Sequence, residues 1–202
     1  MNYLAHLHLA NLTDTSLLGA FLGDFVKGKG YQAWPENVAQ GIILHRKIDT
    51  YTDAHPENQV MRSHFPKHLR RMAGVVMDIY YDHLLAKQLV ADRHTDTNFL
   101  DTFYDALATT TIEDHRHFQR LRHSLLNERW LLNYQHERTY SMAFSAIEKR
   151  LQGRIKFASD AELFVVQYKA HFHQAFNRFY PDLMSFAHTC AAELKTSGKL
   201  PH

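Results

Sequence analysis

Apolar residues recur along this chain at spacings of three and four rather than in alternation, a pattern that predicts helices. Leu17, Leu18, Phe21, Leu22 and Phe25 make such a stripe over residues 16–26, with Thr13 or Asp14 as the N-cap. Gly28-Lys29-Gly30 ends that helix. Trp34-Pro35-Glu36 begins a second one, with Pro35 near its first turn and His55-Pro56 closing it. A short segment runs to His64, before the break at Phe65-Pro66. Residues 67–90 form the longest periodic run, carried by Leu69, Met72, Val75, Val76, Ile79, Leu84, Leu85 and Leu89. Residues 92–96 read as a polar loop, and 97–111, 115–126, 128–137 and 139–151 as further helices. Gly153 marks a C-cap or turn. A last long helix spans 161–195, capped by Ser159-Asp160 and bent or broken near Pro181. Residues 2–10 stay open between a strand and a short buried helix.

The pattern predicts an all-α, compact single-domain helical bundle over residues 1–195, with a frayed tail at 196–202. Only eight glycines and five prolines interrupt 202 residues, which favours long helices. A net charge of +2 does not call for nucleic acid as a partner. No stretch reaches the roughly 18–20 apolar residues of a membrane span. The single Cys190 has no internal disulfide partner, and the first ten residues lack a basic leader. A cytoplasmic protein is expected.

Sixteen histidines are unusual, and only those with nearby partners earn a role. His45, Asp49 and Asp53 follow one another at intervals of four, so a helix stacks them on one face. Ile42, Ile43, Leu44 and Ile48 anchor that same helix in a core, where an imidazole and carboxylates are costly unless satisfied. Asp24 sits between Gly23 and Phe25, and Asp78, Asp82 and His83 interrupt the apolar run 67–90. Asp78 and Asp82 have a second reading, as a salt-bridge network with Arg46 or Arg70. Mixed His and Asp donors without thiolate suit a divalent ion, Mn2+ or Mg2+ first, Fe2+ or Zn2+ next. Asp24, His45, Asp49, Asp78, Asp82 and His83 are the expected metal ligands. Asp24, His45 and Arg46 are the expected catalytic residues, with Asp24 ligating metal or orienting water and Arg46 gripping a phosphate. Asp53 lies roughly 12 Å along the helix from His45 and falls outside one small ion's reach. His6 and His8 would point about 200° apart on a helix, so only one faces any given site. His171 and His173 read as packing or surface residues.

The opening Met-Asn-Tyr-Leu-Ala-His-Leu-His-Leu-Ala, Gly23-Asp24-Phe25-Val26, Gly41 through His45-Arg46 to Asp49 and Asp53, and Asp78 to Asp82-His83 occur in that order. Together they resemble the acyl carrier protein phosphodiesterase family. The resemblance implies removal of 4′-phosphopantetheine from holo-acyl carrier protein to give the apo form, and an HD-phosphohydrolase-like helical fold. It also gives weight to His6, which with the outlying Asp53 is a candidate for the layer behind the ligands. The chain lacks the adjacent His-Asp pair of the HD group, since His45 precedes Arg46 and residues 82–83 run Asp-His. An acidic carrier protein would be steered by basic residues, with Lys27, Lys29, Arg62, Lys67, Arg70 and Arg71 as candidates. The rivals are an HD-like phosphohydrolase of nucleotides or other small phosphodiesters, and a non-catalytic helical binding protein.

Overall fold

Residues 2–92, 96–112, 115–152 and 154–197 are described by the computed structural model. They form ten α-helices and no strand among the described residues. The helices are α1 Tyr3–Leu12, α2 Leu17–Leu22, α3 Glu36–Ala54, α4 Pro56–Ser63 and α5 Ala73–Ala91. Then come α6 Phe99–Thr109, α7 Arg116–Glu128, α8 Glu137–Arg150, α9 Ala158–Gln167 and α10 Lys169–Ser197. The loop expectation at residues 93–95, the turn at Gly153 and the tail at 198–202 lie outside the described residues.

The undecided residues 2–10 are helical, and α1 is buried on most sides through Leu4, Ala5, Leu7 and Leu9. Asn2 gives that helix no side-chain cap. Instead Asp82 reaches across from α5, and its carboxylate accepts the backbone N–H groups of Leu4 at 2.8 Å and Ala5 at 3.2 Å. A carboxylate at a helix N-terminus satisfies donors that no carbonyl of the helix can reach.

The helix expected over 16–26 is shorter. Ser16 caps it by accepting the Gly19 N–H, and it stops at Leu22. Phe25 and Val26 both donate to the Leu22 carbonyl, which turns the chain and leaves Asp24 outside the helix. The expected helix at 128–137 also differs. Arg129 takes a left-handed conformation (φ 45°) that ends α7, and a 3-10 turn, Trp130–Gln135, follows. The last helix runs through Pro181 without interruption, and the break falls earlier, at Tyr168 between α9 and α10. There the Tyr168 ring stacks on Phe164 at 4.5 Å.

Gly19 and Gly41 set the crossing of α2 and α3. A β-carbon on Gly19 would lie 2.4 Å from the Val38 carbonyl oxygen and 2.9 Å from the Gly41 Cα. Both obstacles are backbone, so neither yields cheaply. Gly19→Ala is therefore expected to cost about 3 kcal/mol of stability, as overpacking does. A urea midpoint equal to wild type would show that the two helices can separate without loss.

Candidate active site

Three short pieces of chain meet on one side of α3. His45 is buried, and its Nδ1 donates to the Ala20 carbonyl at 2.7 Å. That bond fixes the tautomer and turns Nε2 toward two carboxylates, Asp49 at 3.1 Å and Asp24 at 3.6 Å. Asp49 is reached from its other oxygen by His6 of α1, Nε2 to Oδ1 at 3.0 Å. The two imidazoles stack face to face with centroids 3.8 Å apart. His6 Nδ1 is buried without a hydrogen-bond partner among the described residues. Asp24 and Asp49 are both close to half exposed, so the cluster has a closed histidine side and an open carboxylate side.

Gly23 makes this possible. A β-carbon there would fall 2.2 Å from Cγ and 2.3 Å from Cδ2 of the His45 ring. The imidazole lies directly on the glycine backbone.

Charge in the cluster is divided unevenly. Burial disfavours protonation of His45, but hydrogen bonds to Asp24 and Asp49 outweigh it and raise its pKa from 6.5 to about 9. Burial and then the neighbouring His45 push His6 down to about 4. Burial works against ionising Asp49, yet the bonds from His45 and His6 hold its carboxyl well below the usual range. Asp24 is lowered in the same way, with His45 overcoming its burial. Stacked imidazoles cannot both carry a proton cheaply, so His45 holds it and His6 stays neutral. The His45 pairing therefore contributes stability that is complete below about pH 6.5 and is lost as pH rises through about 9.

His6, His45 and Asp49 form a group whose donor atoms lie within 4.8 Å of one another, a geometry able to hold a metal ion. Of the residues expected to ligate, Asp24, His45 and Asp49 are brought together. His6, placed one layer behind them from the sequence, stands among them. Asp78, Asp82 and His83 are not part of the convergent group. Asp82 is fully buried and committed to the end of α1. Burial lifts its pKa to about 7, although the two amide N–H groups oppose the shift. His83 donates from Nδ1 to the Tyr134 carbonyl at 2.6 Å and packs between Tyr80 and Tyr140. Asp78 lines a separate cleft of about 790 Å³ with Asp53, Arg62, Arg70 and Arg71, and burial raises its pKa. Asp53 is ion-paired with Arg62 there. Arg46, expected on a phosphate, donates instead to the carbonyls of Val26 at 2.6 Å and Gly28 at 2.7 Å. It thereby clips the loop after Asp24 onto α3. His8 points away from the cluster, with Nδ1 2.8 Å from the Tyr180 hydroxyl.

Asp82→Ala would leave the Leu4 and Ala5 N–H groups buried and unpaired. A loss of about 2 kcal/mol in unfolding free energy is expected. Asp82→Asn, which keeps an acceptor oxygen, should recover part of it. If Asn and Ala cost the same, the cap does not contribute as described.

The fold and this cluster define an all-α protein that carries a His–Asp group at the meeting point of its first three helices. A family model described as acyl carrier protein phosphodiesterase matches residues 1–183, and the chain belongs to that family. Several relatives bearing the same name are similar along nearly their whole length. The one from Pectobacterium atrosepticum is 35% identical over 197 residues, covering 94% of this chain and 98% of its own. Those from Yersinia pestis and Salmonella agona are 35% identical over 191 residues and 32% over 190. They cover 91% and 93% of this chain, and 96% and 97% of their own. No solved structure matches the chain. No helix among the described residues is long and apolar enough to cross a membrane.

Proposed function

We propose that this protein hydrolyses the phosphodiester joining 4′-phosphopantetheine to the serine of holo-acyl carrier protein, with a divalent cation held by His6, His45 and Asp49. The convergence of those three residues beside a half-exposed Asp24, in a chain whose relatives carry that name, is the observation that supports it. A distant kinship with HD-type metal phosphohydrolases belongs to the same reading.

The donor set fits such an ion. His45 has spent its Nδ1–H on Ala20, so its Nε2 is the atom left to ligate. Nitrogen–oxygen separations of 3.0 and 3.1 Å are those of neighbouring donors around a centre with bonds of roughly 2.0–2.2 Å. Two imidazoles and carboxylates without thiolate suit Mn2+ or Mg2+, and then Fe2+ or Zn2+. When bound, the ion supplies Lewis acidity toward a water and a phosphoryl oxygen. Asp24 is ionised at neutral pH and accepts a hydrogen bond from the attacking water at a carboxylate oxygen, which orients it. One water is consumed. Its oxygen joins phosphorus, the bond from phosphorus to the serine oxygen breaks, and the serine leaves as its hydroxyl.

Intact-mass measurement of holo-carrier protein incubated with the Mn2+-treated enzyme should show conversion to the apo mass. An unchanged mass with Mn2+, Mg2+, Fe2+ and Zn2+ in turn sinks the reading. The ligand assignment has its own check. His45 must give up the Nε2 proton that it otherwise keeps to about pH 9. Mn2+ affinity should therefore rise about tenfold per unit between roughly pH 6 and 8. Calorimetric titrations giving one affinity across that range exclude His45 as a ligand.

A further inference from the structure

The residue after Asp24 points to a second region. The Phe25 ring lies 5.4 Å from the ring of His115 and 5.8 Å from that of His117, at the start of α7. Two adjoining cavities of about 350 and 480 Å³ open beside those histidines and share Arg120. Arg116, Arg120, Lys149 and Arg150 line them, with no carboxylate among the described lining residues. Four permanent cations in one place are a strong concentration for a chain of net charge +2. Arg150 donates to His117 Nε2 at 3.2 Å, so His117 serves as a neutral acceptor and holds the guanidinium in place.

The cleft of about 790 Å³ lined by Asp53, Asp78 and the arginines offers a contrast. Its three arginines share their surroundings with Asp53 and Asp78, and Arg62 is already paired with Asp53. Much of its positive charge is compensated within the fold, whereas no carboxylate lines the cavities between α7 and α8 among the described residues.

We infer that the cationic surface of Arg116, Arg120, Lys149 and Arg150 receives carboxylate side chains of the protein substrate, beside the serine whose phosphodiester enters the cluster at Asp24. This rests on the function proposed above. A phosphodiester carried on a folded protein cannot enter alone, because the surface around the modified serine must lie against whatever flanks the catalytic acid. Here that flank is cationic, and Phe25, the residue after Asp24, packs against the two histidines that border it. Carboxylates on the partner complement it, speed encounter and fix the orientation of docking. The docking face is thus on α7 and α8, not on the Arg62–Arg71 region singled out from the sequence.

The test separates docking from turnover. Binding of fluorescently labelled holo-carrier protein is measured by anisotropy in EDTA, for wild type and for Arg120→Glu/Lys149→Glu. KM is measured separately with Mn2+. Kd and KM are expected to rise together, about tenfold at low salt, and the gap should close as salt is added. Arg120→Gln/Lys149→Gln, a milder change of the same sign, stands in if the reversal impairs folding, with about a threefold rise expected. An unchanged Kd overturns the inference, as does a larger loss from Arg70→Glu/Arg71→Glu. Should wild type bind the carrier through this surface yet never release the arm, the inference stands and the proposed reaction falls. Should it release the arm while the Arg120/Lys149 pair leaves Kd untouched, only the inference falls.

Discussion

Asp49→Ala is expected to lower turnover of holo-carrier protein about a thousandfold while leaving a folded, helical protein. One carboxylate joins both imidazoles, at 3.0 Å to His6 and 3.1 Å to His45, and no other carboxylate among the described residues does so. Its loss removes a donor atom for the proposed cation and the group that lets two stacked rings share a buried space. His45 would then rely on Asp24 alone, at 3.6 Å, to favour its charged form, and its pKa should fall from about 9. The fold should survive, because the Asp49 side chain is 43% exposed and contributes little buried apolar area. Turnover by mass spectrometry, a far-ultraviolet spectrum and the His45 titration by NMR check the three parts. Activity within tenfold of wild type, in a folded variant, removes Asp49 from the chemistry.

Gly23→Ala should be the next most damaging change, although it adds a single methyl group and alters no ionisable residue. The new carbon would fall 2.2 Å from the His45 ring, itself tied at Nδ1 to the Ala20 carbonyl and stacked on His6. Either the ring moves or the turn carrying Asp24 moves, and each separates groups now 3.6 Å apart. Displacing a reacting group by about 1 Å costs on the order of a hundredfold in rate, and that is the loss expected here. Mn2+ affinity should fall with it, whereas Asp24→Asn should lower turnover with a smaller effect on affinity. Gly19→Ala is the control, since it strains the same pair of helices away from His45 and should cost stability more than rate. Equal turnover by Gly23→Ala and wild type would show that the ring has room the geometry denies it.

Helix periodicity and punctuation made the all-α architecture readable in advance, along with the span of α3 between Pro35 and His55. The facing of His45 and Asp49 followed from their spacing, because residues four apart lie on one helix face regardless of what packs against it. Asp24 stood out by its position between Gly23 and Phe25, and the structure sets it 3.6 Å from His45. The same signal failed at Asp82 and His83. Periodicity shows that a polar group is buried in a helix but does not say what satisfies it. At Asp82 the answer is backbone N–H groups from residues about eighty positions earlier, and at His83 a carbonyl about fifty later. Arg46 failed for a related reason, since loop carbonyls are invisible in a pattern of side chains. Gly19 and Gly23 lie four apart in the sequence, and only the folded structure shows that one meets backbone and the other an imidazole. His6 was undervalued because a ten-residue helix that is apolar almost all round gives no single face to follow.

The cap on α1 has a consequence for how the enzyme is made. The segment bearing His6 is made well before its partners: the Leu4 and Ala5 N–H groups lack their carboxylate acceptor until Asp82 has been synthesised, and His8 lacks its hydroxyl partner until Tyr180 has been. A chain interrupted before α5 has His45 and Asp49 in hand without the element that aims His6 at them. Chains truncated before Asp82 should therefore lack the ordered His6–Asp49–His45 group and the activity proposed for it.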